Sequence, residues 1–268
     1  MSKVRLDLLL LEKGLFSSRE RAKSAIMAGI VFVDGQKIDK AGTLVAEEAS
    51  IYVKEVICPY VSRGGLKLEK AFQTFSLSLR DTVCMDIGAS TGGFTDFMLK
   101  QGACRVYCVD VGYGQLDYSL RNNSRVVNME RTNIRHITPE QFSLKMDFIS
   151  IDVSFISLEL VLPVAIPLLR EEGCIVCLIK PQFEAGKDQV GKGGIVRDPQ
   201  IHERVIRKTI GVARREGCRV EGLTYSPVKG AKGNIEYLLL LKKTEGSPET
   251  SDSVFVEKVV AQAQENLR

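Results

Sequence analysis

The sequence predicts an α/β protein: a doubly wound, mostly parallel sheet of seven strands covered by helices, preceded by a small α+β domain. Three observations predict it. Between Thr82 and Lys180, strand-like and helix-like stretches alternate, as βαβ units do around a parallel sheet. The last two strand-like stretches are joined by a glycine-containing loop short enough for an antiparallel hairpin. Residues 1–58 lack that alternation and read as helix–loop–helix followed by short strands. A chain of 268 residues accommodates two domains, and 44% apolar with 26% charged residues excludes a disordered or collagen-like chain.

The elements follow in order. Arg5–Gly14 is helix-like and ends at a glycine suited to a left-handed cap. Ser17 or Ser18 caps a second helix, Arg19–Ala28, which stops at Gly29. Ile30–Gly35 is a strand closing on an Asp-Gly turn, and Ala49–Val56 alternates like another. Pro59–Leu79 reads as a junction: Ser62-Arg63-Gly64-Gly65 can turn sharply, and Leu68, Ala71, Phe72 and Phe75 share one helical face. Strands are expected at Val83–Ile87, Arg105–Asp110, Val126–Asn128, Asp147–Asp152 and Cys174–Lys180, with helical stretches near 93–100, 114–121, 138–142 and 158–170. Asp198-Pro199 opens a long helix to about Glu216. Arg219–Tyr225 and Ile235–Leu241 are the final strands. The expected organisation is therefore 1–58, an interdomain linker at 59–80, a domain at 81–244, and a polar linker with a terminal helix at 245–268.

Lys and Arg exceed Asp and Glu by four overall, 37 against 33. The excess is clustered: residues 1–40 carry eight bases and five acids, and residues 60–80 carry four bases, including Arg63, against Glu69 alone. Such clustering suits a polyanion. Apolar runs such as Ile149–Ile156 are short and interrupted by Asp152, far below the ~18 residues of a membrane span. Residues 1–20 lack a secretory layout, so a cytoplasmic protein is expected. The seven cysteines mostly fall within strand-like runs, and Cys174 and Cys177 have no second pair with zinc spacing. They are expected to be reduced and structural, with no metal site.

Asp86-Ile-Gly-Ala-Ser-Thr-Gly-Gly-Phe-Thr95 follows the first strand of the sheet and opens a helix. As a dinucleotide loop it lacks the close-approach glycine, because the corresponding triplet is Gly88, Ser90, Gly93. Gly88-Ala-Ser90-Thr-Gly92 also matches a hydrolase nucleophile elbow, which requires a downstream acid and histidine. Only His136 and His202 exist, and His202 is expected on a solvated helix face. The third reading is an S-adenosylmethionine site, where Asp86 at the loop entrance suits a cationic cofactor and Asp110, 22 residues after Gly88, suits ribose hydroxyls. These two acids would equally suit another nucleoside cofactor.

Ligands of open α/β sheets bind beyond the carboxyl ends of the strands. Asp152 and Lys180 close two apolar strands there, and Glu236 opens the last strand, which brings it to the same edge if that strand is antiparallel. A lysine beside carboxylates and a second lysine is the chemistry that removes a proton from a weakly acidic hydroxyl. The residue pattern supplies three of the four groups.

The blocks Arg5-Leu-Asp7 with Ser18-Arg19, Val61-Ser-Arg-Gly-Gly-Leu-Lys67, Asp86–Thr95, Val109–Gln115, Asp152–Ser157, Lys180-Pro-Gln-Phe-Glu184, Gly194–Pro199 and Gly233-Asn-Ile-Glu236 resemble, in this order, the TlyA-type, hemolysin A-like rRNA 2′-O-methyltransferases. The resemblance implies a Rossmann-like, FtsJ-like methyltransferase domain behind an RNA-binding domain like that of small-subunit ribosomal protein four. It implies S-adenosyl-L-methionine as cofactor and a Lys67, Asp152, Lys180, Glu236 tetrad as catalytic, with Lys67 the fourth group and Glu236 holding Lys180. Cofactor contacts are expected from Asp86, Gly88, Ser90, Gly92, Gly93, Phe94, Thr95, Asp110, Val111 and Asp152. Arg5, Arg19, Lys23 and Arg63 are expected to face RNA. The implied partner is ribosomal RNA within ribosomal subunits, 16S or 23S, with a cytidine ribose as target and no membrane. The competing classes are a non-catalytic assembly factor and a membrane-lytic hemolysin.

Overall fold

The computed structural model describes residues 3–16, 18–54, 58–244 and 253–267, without the side chains of Arg21, Ser253 and Val254. The expected Ser17 cap, the end of the second expected strand at Glu55 and Val56, and the polar linker over 245–252 lie outside the described residues. The chain divides into two compact units, Met1–Ile57 and Cys58–Arg268.

In the first unit, β1 (Lys3–Arg5) runs into α1 (Leu6–Glu12), followed by α2 (Arg19–Met27), β2 (Val31–Val33), β3 (Gln36–Ile38), β4 (Leu44–Ala46) and β5 (Ile51–Val53). Gly14 at φ +68° and Gly29 at φ +69° follow the two helices in the left-handed region that glycine enters without a Cβ penalty. Leu6, Leu9 and Leu10 pack with Ala22, Ala25 and Ile26, and both helices cover Val31, Val33 and Val45. β2 lies between β3 and β5, while β1 pairs with β4, all antiparallel. β1, β3 and β4 are three residues each, too short to leave an alternating pattern in the sequence.

The second unit begins with α3 (Gly64–Phe75). The stretch expected to be an interdomain linker is thus a packed helix of this unit. Leu68, Ala71 and Phe72 are buried, and the Phe72 ring meets Phe97 at 4.9 Å and Phe148 at 5.4 Å. Then come β6 (Val83–Ile87), α4 (Gly93–Lys100), β7 (Arg105–Val109), α5 (Tyr118–Arg121), β8 (Val126–Met129), β9 (Met146–Ile151), α6 (Leu158–Leu168), β10 (Leu169–Ile179), α7 (Pro181–Glu184), α8 (Pro199–Arg215), β11 (Cys218–Tyr225), β12 (Tyr237–Lys243) and α9 (Ser253–Asn266). β10 starts five residues before the expected Cys174, with a register shift between Leu169 and Cys174. The side chain of Asp198 caps α8 by accepting from Gln200 N at 2.9 Å. α9 buries Val256, Val259, Val260 and Ala263 and packs on α8 and β11, so it belongs to this unit.

The sheet order is β11-β12-β10-β9-β6-β7-β8. From β6 the chain winds outward through β7 to β8, then returns to place β9 on the other side of β6. The two directions part between β6 and β9, the switch point where open α/β sheets hold ligands. One apolar core covers each face. α3 and α4 contribute to one, and α6, α8 and α9 to the other.

Candidate active site

A cavity of about 480 Å³ opens at the switch point. Its floor is the loop after β6. Gly88 sits at φ +83°, and a Cβ there would come within 2.5 Å of the Asp152 carbonyl oxygen, so only glycine lets the ends of β6 and β9 approach. Ser90 at φ +48° and Gly92 at φ +90° continue the turn into α4. The Asp110 carboxylate accepts from Ser90 N and Gly112 N, both at 2.7 Å, and each oxygen retains a lone pair. Gly88, Ser90, Gly93, Phe94 and Asp152 line the cavity as expected; Gly92, Asp110 and Val111 stand outside its lining, although Val111 is exposed.

Asp86 corrects a simple expectation. It borders the cavity but is only 1% exposed, and its carboxyl accepts from Thr95 Oγ1 at 2.7 Å and Ser150 Oγ at 3.1 Å. Burial raises its pKa to about 7 against the pull of those two hydroxyls. Thr95 is fully buried and committed to Asp86, so it supports the loop from behind and presents no group to a ligand.

The four ionisable groups meet at one wall of this cavity. The reason is register. Ile179 of β10 faces Tyr237 of antiparallel β12, so the residues one step beyond, Lys180 and Glu236, emerge side by side. Asp152 leaves the neighbouring β9. Lys67 arrives from the first turn of α3, which approaches α4 across glycines: a Cβ on Gly93 would lie 2.9 Å from Gly65 N and 3.1 Å from Gly64 Cα. Asp96 secures the approach by accepting from Val61 N at 2.9 Å.

Lys67 Nζ donates to Glu236 Oε2 at 2.7 Å and lies 3.6 Å from Asp152 Oδ2. Lys180 Nζ lies 2.6 Å from Asp152 Oδ1 and donates to Ser154 Oγ at 3.0 Å. Asp152 therefore bridges the two lysines, but Glu236 holds Lys67 where it was expected to hold Lys180. Burial drives the Lys67 ammonium pKa down, and the two carboxylates more than reverse this, leaving it raised. Gly230 closes the cavity over Glu236: a Cβ there would stand 1.9 Å from Glu236 Oε1.

The sequence assigns no role to several residues at the site, although Ser154, Phe155, Phe183 and Asn234 lie within the blocks that carry the resemblance. Ser154 and Phe155 follow Asp152. Phe155 is 91% exposed at φ +63°, its ring 4.9 Å from that of Phe183 at the cavity edge. The loop bearing Gly230 is tied down by Asn234, whose side chain accepts from Val196 N at 3.1 Å and donates to Gly194 O at 2.9 Å. His202, expected at the surface, is fully buried. Its Nε2 faces the Val196 carbonyl at 3.0 Å, which can only accept, so Nδ1 accepts from the Tyr237 hydroxyl at 2.7 Å. Burial lowers its pKa and keeps this neutral strut intact beside Glu236.

Arg63 is exposed at the cavity rim. In the first unit, Arg5 and Arg19 converge on Asp7, which is fully buried: Arg5 Nε meets Oδ1 at 3.0 Å and Arg19 Nε meets Oδ2 at 2.9 Å. The Arg5 hydrogen bonds, then those of Arg19, hold the Asp7 pKa down at about 2 despite burial. Lys23 is half-buried on α2.

A doubly wound sheet ending in an antiparallel hairpin, with a glycine loop and a lysine–carboxylate cluster at its switch point, defines the second unit as a methyltransferase-type domain. Residues 60–243 match the FtsJ-like methyltransferase model and residues 4–51 the S4 domain model. The chain belongs to the FtsJ-like methyltransferase family, with an S4 domain at its N-terminal end. YqxC of Bacillus subtilis, provisionally named an rRNA methyltransferase, is 52% identical over 89% of this chain and 85% of its own length. The 16S/23S rRNA (cytidine-2′-O)-methyltransferase TlyA of Mycobacterium tuberculosis is 43% identical over 90% of each chain. A solved structure from Streptococcus thermophilus, provisionally called a hemolysin, superposes with a TM-score of 0.80 at 46% identity, covering 99% of this chain and 97% of that one.

Proposed function

We propose that this chain transfers a methyl group from S-adenosyl-L-methionine to the ribose 2′-OH of a cytidine in 16S or 23S rRNA, in the cytoplasm. The observation that carries the reading is the Lys67–Asp152–Lys180–Glu236 cluster beside the glycine loop. The relatives named for rRNA methylation support the substrate. The cavity suits the cofactor: its volume of about 480 Å³ is that of a small-molecule site. Gly88 clears a path along the loop, Asp110 keeps lone pairs for ribose hydroxyls, and Asp86 lies behind the loop as a buried acid that a cation would ionise.

When bound, the cofactor supplies an electrophilic methyl group. Lys67, held by two carboxylates, stays an ammonium and fixes Asp152. Lys180 has one carboxylate and one hydroxyl as partners. With the cofactor in place, the Lys180 amine would take the proton of a 2′-OH whose oxygen attacked the methyl carbon, the cofactor's thioether being the leaving group. Asp152 and Ser154 aim that amine, and positioning supplies most of the rate. Phe155 and Phe183 offer an aromatic wall for an extruded base. Among the described residues no helix is long and apolar enough to cross a membrane, which gives the lytic reading nothing to build on. The intact cluster favours catalysis over a purely structural assembly role.

The test is Lys180→Ala with radiolabelled cofactor and ribosomal subunits. Methyl incorporation is expected to vanish while cofactor affinity stays unchanged. Full incorporation by this variant would overturn the assignment.

A further inference from the structure

The small sheet of the first unit has two unlike faces. Val31 and Val33 of β2 point into the core, together with Ile38, Ile51 and Val53 from the flanking strands. Directly opposed residues in antiparallel strands share a face. Phe32 is opposite both Lys37 on β3 and Tyr52 on β5, so these three stand on the outer side. The Phe32 and Tyr52 rings are 6.0 Å apart and tilted by 49°, and Tyr52 is 63% exposed. Lys54, two residues beyond Tyr52, is exposed and extends the ladder by donating its N–H to Ile30 O at 2.7 Å.

Lys37 is also guided. Its side chain folds over Gly29, where a Cβ would come within 2.2 Å of Cε and 2.5 Å of Nζ. The nearest acid in the hairpin turn, Asp34, is committed to Ser50 N at 2.9 Å. The face therefore offers two aromatic rings flanked by two cations. Cross-strand aromatic pairs stabilise sheets, but that role needs neither a ring left two-thirds in solvent nor lysines on both sides.

We infer that this outer face is an RNA-stacking surface, on which unpaired nucleobases lie against Phe32 and Tyr52 while neighbouring phosphates meet Lys37 and Lys54. Any base offers a flat π-face, so the surface selects single-stranded RNA without reading its sequence. It is distinct from the Arg5–Asp7–Arg19 cluster at the start of the helices. It rests on the reading of this unit as RNA-contacting, but not on catalysis in the other unit.

The chain contains no tryptophan, so Tyr52→Trp in the full-length protein places a single emitter on this face. A short fluorescein-labelled oligouridylate and a perfectly paired RNA duplex serve as probes. With unlabelled oligouridylate, the Tyr52→Trp emission is expected to be quenched, with affinity close to that of the parent. Tyr52→Ala is expected to bind the labelled single strand about 5- to 150-fold more weakly, the range for one lost stacked base, with duplex affinity nearly unchanged. Unquenched Trp emission together with full single-strand affinity in Tyr52→Ala overturns the inference, and so does equal loss for both probes. The readout needs no turnover, so failure of the parent to methylate rRNA would sink the proposed function while leaving this result standing.

Discussion

Replacing Gly230 by alanine isolates the contribution of the Glu236–Lys67 contact. Gly230 has φ −74° and ψ −167°, which alanine adopts freely, so the substitution strains no backbone. Its Cβ, however, would stand 1.9 Å from Glu236 Oε1 and 2.4 Å from Cδ. Glu236 is 2% exposed but lines the cavity, so its carboxylate yields toward that space. The carboxylate must turn away, ending its 2.7 Å bond with Lys67 and leaving that ammonium only Asp152 at 3.6 Å. Losing one partner of a buried pair costs about 3–5 kcal/mol when nothing replaces it; with Asp152 still present, about 2 kcal/mol is expected. A displacement of about 1 Å among reacting groups costs roughly a hundredfold in rate, so kcat should fall by about that factor. Cofactor affinity should hold, because the nearest group to a Cβ on Gly230 is Glu236 and not the glycine loop. The assays are methyl incorporation into ribosomal subunits, cofactor titration and urea unfolding. Adding Glu236→Asp withdraws the carboxylate by one methylene and should restore part of the loss, a coupling visible in a double-mutant cycle. If Gly230→Ala retains kcat within about twofold of the parent, about 0.4 kcal/mol, the rim contact does not organise the cluster.

Three further outcomes follow from the buried charges. Asp86 keeps its proton to about pH 7 when folded, whereas an unfolded aspartate loses it near ~3.9. The unfolded chain therefore releases the proton first, and stability should fall as pH rises through that interval; Asp86→Asn should flatten this stretch of a urea-midpoint curve, and an unchanged slope would refute it. The raised Lys67 pKa has the same sign in a higher window: its stabilising share is complete at neutral pH and disappears only as pH climbs past its folded value, above 10.5. Lys67→Gln should accordingly soften the alkaline unfolding limb seen by circular dichroism. Asp7, held at about 2, contributes stability that is present above ~3.9 and lost as pH falls through its folded value. Asp7→Asn should release Arg5 and Arg19 and weaken rRNA binding by about tenfold in an anisotropy titration, the scale of one charged hydrogen bond.

Much of the second unit was legible because its strands are long apolar runs punctuated by glycine and charge. Val83–Ile87 and the helix over 93–100 coincide with β6 and α4, and the Asp198-Pro199 signal marks the start of α8. The segment read as a linker misled for a physical reason. Gly64 and Gly65 look like a flexible turn, but they are there to let two helices approach closely, which only a neighbour distant in sequence, Gly93, reveals. The same limit explains Glu236: strand register puts it beside Lys180, yet the bond goes to Lys67, whose helix comes from another part of the chain. His202 looked solvated because Glu203 and Arg204 follow it, whereas burial on a helix depends on which face meets the sheet.

The cluster owes its arrangement to three independent devices. A parallel strand end presents Asp152, an antiparallel register aligns Lys180 with Glu236, and a glycine contact delivers Lys67. Two cations and two anions in so small a space are mutually neutral when all are ionised, so the group can be buried without a stranded charge. Neutrality alone would freeze it. The asymmetry matters more: Lys67 has two carboxylates within 3.6 Å, whereas Lys180 has one carboxylate and the Ser154 hydroxyl. On the proposed reading, the doubly paired lysine keeps Asp152 in place and the singly paired one is the group that faces a hydroxyl presented from the cavity. Moving Glu236 from one lysine to the other would exchange those roles. For this reason the identity of its partner, which no spacing in the sequence could supply, decides how the site divides its labour.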